Sequence, residues 1–380
     1  MIAWMRTVLP SGWALGTFVF FYLLFDAPFY LLTLFQPSLL ALPRQWHSES
    51  VLKFACAAYG VYRVAAFHPV FRPDYFKWLK AGPWNSSKPL PAGPIHLVWQ
   101  DLVVCLIVEF LALRYPWTHP AVPLLCLLVF YLLCLSAALF ATGQRAAAYL
   151  IAFGMGGVVH LHSRSWMAFA GGVALYLLAY GALRRSLARF PWPIEKIEVF
   201  RQKLVSQEMT RQQQFGWPFN RLSPRSEFPS ISWGHGLLLS LLAGWWCFVL
   251  MRLIGETDAG VFIMFYVLPA MFGIGARAII YLTGHWPPIS FWGRIWTLRW
   301  IIPKYDQALV APVLAILTCV FAPGLLRRLG LPDEASYAVS LACVLFIIFN
   351  VGPTLRSWRL TGSCRLTSGL LLMRQEYTEV

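Results

Sequence analysis

Charged residues are scarce in this chain. Asp, Glu, Lys and Arg make up only 12% of its 380 residues, whereas 58% are hydrophobic. Ordinary soluble domains carry about 25% charged residues. The deficit excludes a soluble globular protein. It favours an all-α, polytopic bundle of transmembrane helices, because a helix satisfies its own backbone hydrogen bonds inside lipid.

The chain also lacks the short motifs that mark common catalytic and nucleotide-binding sites. It contains no G-x-x-x-x-G-K-[ST] phosphate loop, no H-E-x-x-H zinc motif and no G-x-S-x-G nucleophile turn. Its 8 cysteines include no C-x-x-C pair, so neither a zinc knuckle nor a disulfide framework is indicated. We expect no catalytic residues, no metal and no cofactor, and whether the protein is an enzyme stays open.

Acidic residues are the scarcer of the two charged classes, with 16 against 31 basic residues and a net charge of +15. Because no recognisable nucleic-acid-binding module is present, we expect no nucleic acid partner. Most of the basic residues fall on one side if the N-terminus is cytoplasmic and the number of spans is even. The pattern therefore predicts two cytoplasmic termini in a bacterial inner membrane, with lipid as the surrounding partner.

About ten apolar runs have the length and composition expected of membrane spans. Residues 1–183 are expected to form a first membrane half with about six spans and an amphipathic cytoplasmic loop at 67–94. Residues 184–230 are predicted to form a cytoplasmic helix and linker. Residues 231–380 are expected to hold about four spans, a cytoplasmic loop at 284–307 and a basic tail. The runs are 12–39, 50–66, 95–113, 122–141, 146–161, 165–183, 231–252, 260–282, 308–325 and 337–355.

The loop at 67–94 contains the densest group of Pro, Trp and Lys residues in the chain. Pro73 is well placed to begin a short helix, and Gly82-Pro83 is expected to end it. Its apolar side chains, among them Trp78 and Leu79, give the helix a hydrophobic face. Such a helix either lies on the membrane surface or docks into the groove of a partner protein.

Four ionisable residues fall inside the predicted spans, where an unpaired charge is costly. They are Asp26, Asp101, Glu109 and Arg277. One interpretation is a polar path or gate for a transported solute. The other is a buried tie between helices. We favour the functional interpretation for Asp26 and the structural one for Asp101 and Arg277.

The stretch at 285–307 resembles the stretch at 67–101 in its general plan. Each begins with His and Pro, continues through a short basic segment rich in Trp, and ends with Asp beside Gln ahead of an apolar run. Transporters are often built from internal repeats. Convergent composition at a membrane surface explains the likeness as well.

The first of these loops resembles the cytoplasmic connection between the second and third helices of permease subunits of ABC-type exporters. The residues that carry the resemblance are Asp74, Tyr75, Phe76, Trp78, Leu79, Pro83, Asn85-Ser86-Ser87 and Lys88. The resemblance implies that the short helix docks into a separate cytoplasmic ATPase, which fits the missing phosphate loop. The expected docking residues are Asp74, Phe76, Trp78, Leu79, Pro83 and Trp84.

The function expected from this resemblance is that of an integral membrane permease-like subunit. It would move a lipid-like or hydrophobic solute together with its ATPase partner or with other subunits of a complex. Two alternatives remain. One is a non-catalytic membrane anchor or assembly subunit of a larger complex. The other is a membrane-embedded transferase, whose basic cytoplasmic face would hold a phosphorylated or lipid-linked substrate.

Overall fold

The structure is a computed structural model and describes most of the chain. The described residues are 12–27, 31, 35, 50–82, 84–86, 88–112, 121–161, 165–192, 232–254, 263–282, 291–302, 305–353 and 358. Within these ranges the chain forms helices and no strands, as the composition predicts. It divides into two compact units, Met1–Ile194 and Glu195–Val380.

The first unit is organised around one long helix, α5. The helices of this unit are α1 (Gly12–Phe21, continued by a π-helical turn at Tyr22–Asp26), α2 (Ser50–Ala65), α3 (Pro73–Ala81), α4 (Trp99–Ala112), α5 (Ala121–Ala141), α6 (Arg145–His160) and α7 (Ser165–Ala188). Helix α5 packs against α2, α4, α6 and α7. Its side chains Leu132, Leu135 and Leu139 are fully buried, which explains why it is the centre of this unit.

The second unit is organised around its last helix, α12. Its helices are α8 (Trp233–Ile254), α9 (Leu268–Leu282, preceded by a π-helical turn at Ile263–Val267), α10 (Phe291–Trp296), α11 (Gln307–Arg328) and α12 (Asp333–Asn350). Helix α12 packs against α8, α9 and α11. The core between them includes Tyr266, Leu341, Val344 and Ile348.

Five helices of the described chain are long and apolar enough to cross a membrane. They cover Val122–Ala141, Met167–Ala188, Trp233–Arg252, Gln307–Arg328 and Asp333–Asn350. Their outward side chains are mostly apolar, which is the pattern expected of a protein surrounded by lipid. The structure is thus that of an all-helical protein with five candidate membrane-spanning helices. A total of about ten spans stays a prediction.

The other five predicted runs coincide with shorter helices, and parts of them lie outside the described residues. Helices α2 and α6 have 16 residues each, so they are shorter than the roughly 20 residues that cross a bilayer without adjustment. The predicted third span starts later than expected, because residues 95–98 are irregular and α4 begins at Trp99. Of the predicted cytoplasmic helix and linker at 184–230, residues 184–188 continue α7, and residues 193–230 lie outside the described residues.

One glycine in each unit allows two helices to approach closely. A Cβ atom added to Gly60 of α2 would lie 2.4 Å from the Leu127 carbonyl oxygen of α5. A Cβ atom on Gly244 of α8 would lie 2.7 Å from the Ala338 carbonyl oxygen of α12. Backbone atoms cannot yield as a side chain can, so both crossings require glycine. Small residues at helix contacts are the usual way to pack helices in lipid.

Candidate functional site: the α3 surface and its supports

A buried ion pair joins α2 to the start of α4. The side chains of Arg63 and Asp101 are 0% and 3% exposed, and Arg63 Nε lies 2.8 Å from Asp101 Oδ1. Arg63 Nη2 donates a hydrogen bond of 3.1 Å to Asp101 Oδ2. The guanidinium therefore approaches the carboxylate through two nitrogens, and the hydrogen bond from Nη2 adds to the attraction of the charges.

Other groups add hydrogen bonds to this pair, while Arg63 Nη1 is buried without a hydrogen-bond partner among the described residues. Tyr59 donates its hydroxyl to Asp101 Oδ1 over 2.6 Å, and the Val98 backbone N–H donates to Oδ2 over 2.7 Å. Arg63 Nη2 also donates to the carbonyl oxygens of Pro94 and His96, at 3.2 and 3.1 Å. Buried charges are tolerated when they are paired and hydrogen-bonded in this way. The pair thus holds the irregular segment 94–98 in one conformation.

The chain just before this segment is bonded to the short helix α3, and the segment itself is bonded to α5. The Ala92 backbone N–H donates a 3.2 Å hydrogen bond to the Tyr75 hydroxyl oxygen of that helix. Tyr131 of α5 donates its hydroxyl to the Ile95 carbonyl over 3.2 Å. A continuous series of bonds therefore runs from the core of the first unit to the surface loop.

Helix α3 forms for the reasons apparent in its sequence. Pro73 occupies its first turn together with Asp74, and Lys80 lies in its last turn, so both charges complement the helix dipole. The helix ends at Gly82, whose backbone is extended and whose N–H donates a hydrogen bond to the Trp78 carbonyl. The predicted helix is confirmed at Pro73–Ala81.

The inner side of α3 is covered by its own chain. Leu79 is 1% exposed and Phe76 is 7% exposed. The ring of Phe76 stacks on Trp192, with centroids 6.2 Å apart, and meets Phe190 edge to face at 5.6 Å. The expectation that Phe76 and Leu79 contact a partner is therefore corrected. Both side chains attach the helix to the first unit instead.

The outer side of α3 is the exposed part of the predicted docking surface. Trp78 is 59% exposed and stacks on Tyr75 at a centroid distance of 6.2 Å. Asp74, Lys77 and Lys80 are exposed beside it. We call this the α3 surface: Asp74, Lys77, Trp78 and Lys80.

The two remaining docking candidates follow α3. Trp84 is half-buried, where it meets Phe190 edge to face at 5.1 Å and donates Nε1–H to the Pro89 carbonyl over 3.3 Å. It therefore supports the loop more than it extends the exposed surface. Pro83 lies outside the described residues.

His68 is a buried residue at the start of this loop. It is 0% exposed and stacks on Trp192 with ring centroids 5.4 Å apart. Its Nδ1 accepts the Val70 backbone N–H over 3.2 Å. Burial lowers the pKa of His68 from its usual 6.5 to about 3, because the charged imidazolium would lose its hydration. The ring is therefore neutral at physiological pH.

The other predicted intramembrane polar residues have different surroundings. Arg277 of α9 donates to the Ile348 carbonyl and, over 2.6 Å, to the Val351 carbonyl, at the end of α12. It satisfies carbonyl groups that a helix end leaves without partners, which agrees with a structural tie. Glu109 is half-buried on α4, and its Oε2 has no hydrogen-bond partner within the described chain. The side chain of Asp26 lies outside the described residues.

The second unit contains an Arg–Asp pair of similar design. Arg294 donates from Nη1 and Nη2 to Asp306, at 2.9 and 3.0 Å, immediately before α11 begins. The Ile302 backbone N–H donates to Asp306 Oδ2 over 2.6 Å. Asp101 and Asp306 thus have equivalent roles, each binding an arginine and a backbone N–H just ahead of it in the chain. The arginines come from different elements, a long helix in one unit and a short surface helix in the other.

No group of three His, Cys, Asp or Glu side chains in the described ranges is placed to hold a metal ion.

No protein-family model matches this chain, and neither a curated protein nor a solved structure is significantly similar to it. Its function is therefore inferred from its own geometry.

Breaking the Arg63–Asp101 pair from one side should destabilise the first unit. In Arg63→Met, the buried Asp101 carboxylate loses its cation, and we expect a loss of about 3–5 kcal/mol in the free energy of unfolding. The double variant Arg63→Met/Asp101→Asn should lose less than the two single losses added together, because no charge is left unpaired. Chemical denaturation in detergent measures the free energy of unfolding of Arg63→Met, Asp101→Asn and the double variant. Additive losses would contradict the coupling.

His68 should make stability depend on pH. Below its usual pKa of 6.5, the unfolded chain binds a proton that the folded protein does not bind until about pH 3. Stability should therefore be fully present above pH 6.5 and fall as the pH falls towards 3. Between pH 7 and 5, the free energy of unfolding of His68→Phe should fall by about 2 kcal/mol less than that of the wild type. Thermal unfolding at several pH values checks this, and identical profiles for the two proteins would refute it.

Proposed function

We propose that the protein is an integral membrane subunit that holds a separate soluble protein at the α3 surface. The partner proposed is an ATPase, and the complex is proposed to move a lipid-like or hydrophobic solute. The observation that carries the proposal is the division of α3 into two sides. Its inner side is fixed by Phe76 and Leu79, and its outer side presents Trp78 among charged residues.

The fixed position of α3 favours binding. A surface that is already ordered loses little conformational entropy when a partner docks. Here the bonds from Arg63 to segment 94–98 and from Ala92 to Tyr75 maintain that order before any partner arrives. Few of the degrees of freedom of the helix are left to be lost on association.

The composition of the surface also favours a protein partner. A partly exposed tryptophan surrounded by charges is the usual arrangement of an anchor residue with a polar rim. The charges have both signs, since Asp74 lies beside Lys77 and Lys80. A surface that only bound anionic lipid would gain nothing from Asp74. The resemblance to exporter permeases points to an ATPase as the partner, and the missing phosphate loop is consistent with ATP binding by another chain.

Replacing Trp78 should release this partner without unfolding the protein. For Trp78→Ala we expect a loss of about 2 kcal/mol or more of association free energy, equivalent to roughly a 30-fold weaker complex. The measurement is the ATPase activity that co-purifies with the tagged full chain from its native membrane. Trp13→Ala is the matched control, because Trp13 is 87% exposed on a different helix, α1. It should retain the activity.

A second control separates docking from folding. Phe76→Ala removes a buried ring from beneath the same helix, so it should lower the unfolding temperature, whereas Trp78→Ala should not. ATPase activity that co-purifies equally with Trp78→Ala and wild type would refute the docking proposal. So would a complete absence of co-purifying ATPase activity from the wild-type protein. Either result would leave the role of a membrane anchor for another type of subunit.

The transport part of the proposal is supported by Glu109. Asp101 and Arg277 both make structural bonds, whereas the shielded Oε2 of Glu109 has no hydrogen-bond partner among the described residues. A carboxyl group of this kind inside an apolar bundle usually belongs to a solute or proton path. The alternative role, a non-transporting assembly subunit, is favoured by the structural use of the other two residues.

Glu109→Gln distinguishes these roles. We expect it to reduce ATP-dependent movement of a fluorescent phospholipid in proteoliposomes that contain the co-purified complex, by about tenfold, while partner binding stays normal. Glu334→Gln, the same change at the start of α12, serves as the control. Wild-type complex that binds its ATPase but moves no phospholipid would assign the protein to the assembly role for this class of solute.

A further inference from the structure

Residues 291–301 form a surface segment that exposes an unusual amount of apolar side chain. Its three tryptophans, Trp292, Trp296 and Trp300, are 69%, 84% and 60% exposed. Leu298 and Ile301 between and after them are 77% and 76% exposed. We call this segment the Trp surface. So large an apolar patch requires a covering.

The chain that follows the Trp surface is buried in the second unit. Directly after the Trp surface, Ile302 and Tyr305 are buried in a small core with Tyr281 and Trp358. Trp358 donates Nε1–H to the Tyr305 carbonyl over 3.0 Å. The chain is thus anchored to the second unit immediately beyond Ile301, and the Trp surface faces outwards.

The Arg294–Asp306 pair ties the Trp surface to the start of α11. Arg294 lies within the surface and donates two hydrogen bonds to Asp306, and it also donates to the Trp300 carbonyl over 3.3 Å. Helix α11 begins at the next residue, Gln307, and is apolar enough to cross a membrane. The Trp surface is therefore held beside the point at which the chain enters the bilayer.

The backbone of Leu298 provides a second observation. Its φ of +52° lies in the left-handed region, which costs an ordinary residue roughly 1–2 kcal/mol. Glycine or asparagine normally occupies such a turn. A leucine that is 77% exposed gains nothing in water to offset this strain, whereas contact with acyl chains would offset it.

We infer that the Trp surface lies in the interfacial layer of the bilayer, and that the Arg294–Asp306 pair sets its depth there. Tryptophan is enriched at this depth because its ring is apolar and its N–H is polar. The segment carries no acidic residue, and the exposed Arg299 supplies a positive charge suited to lipid phosphate. The continuity with α11 identifies the occupant as the surrounding bilayer. This inference is independent of the proposed ATPase partner.

Depth-dependent quenching tests the inference on the full chain. A fluorescent amino acid, acridonylalanine, replaces Trp296, and the protein is reconstituted into vesicles of phosphatidylcholine and phosphatidylglycerol. A nitroxide at the fifth acyl carbon should quench this probe about twofold or more better than a nitroxide at the twelfth, because an interfacial side chain is buried by about 5–10 Å. Phe321 is the control position. It is 67% exposed and lies about 20 Å along α11 from its start, so a probe there should show the reverse order.

The pair is tested by Asp306→Asn, which keeps an oxygen to accept the Ile302 N–H but weakens the bond to Arg294. In this variant, we expect the fifth-carbon nitroxide to lose its twofold advantage over the twelfth-carbon nitroxide at position 296. The unfolding temperature of the reconstituted protein should change little. If Asp306→Asn does not fold, Arg294→Gln provides the same test from the other side. The interfacial location would be overturned if aqueous iodide were the strongest quencher of the probe at position 296. It would also be overturned if the twelfth-carbon nitroxide quenched that probe more strongly than the fifth-carbon nitroxide. An unchanged preference in the folded variants would overturn the role of the pair.

Discussion

The attraction between Arg63 and Asp101 is the interaction on which the first unit depends. In water, such a pair contributes little, because solvent screens both charges. In the interior of a membrane protein, neither charge can remain without the other, and each needs further hydrogen bonds as well. The backbone of segment 94–98 supplies most of these bonds. An electrostatic requirement inside the protein thereby determines the shape of a loop at its surface.

That loop illustrates how a short helix gains a stable position. Nine residues are too few to form a helix by local propensity alone, so α3 relies on its contacts with the rest of the unit. Its aromatic underside is packed by Phe190 and Trp192, which follow α7. Its hydroxyl contact with Ala92 connects it to the ion pair. The opposite side of the helix leaves Trp78 59% exposed, stacked only in part on Tyr75.

The sequence predicted local features well and distant partners poorly. Pro73 and Gly82 delimited α3 because their backbone chemistry acts within one turn, and five of the ten predicted apolar runs coincide with the five candidate spans. The orientation of α3 could not be predicted, since Phe76 faces inward against rings more than a hundred residues later in the chain. The partner of Asp101 was missed for the same reason. Arg63 lies on α2 and Asp101 on α4, and no spacing rule connects two residues on different helices.

The two Arg–Asp pairs differ in how much chain each one encloses. Arg63 and Asp101 are 38 residues apart, whereas Arg294 and Asp306 are 12 apart. Closing the longer loop costs about 1 kcal/mol more in chain entropy. During synthesis the shorter pair can form as soon as Asp306 leaves the ribosome, before the bulk of α11 follows. The longer pair has to wait for α2, the entire surface loop and the start of α4. Until then Arg63 must stay hydrated, so the first unit cannot settle at its final depth in the membrane before α4 arrives.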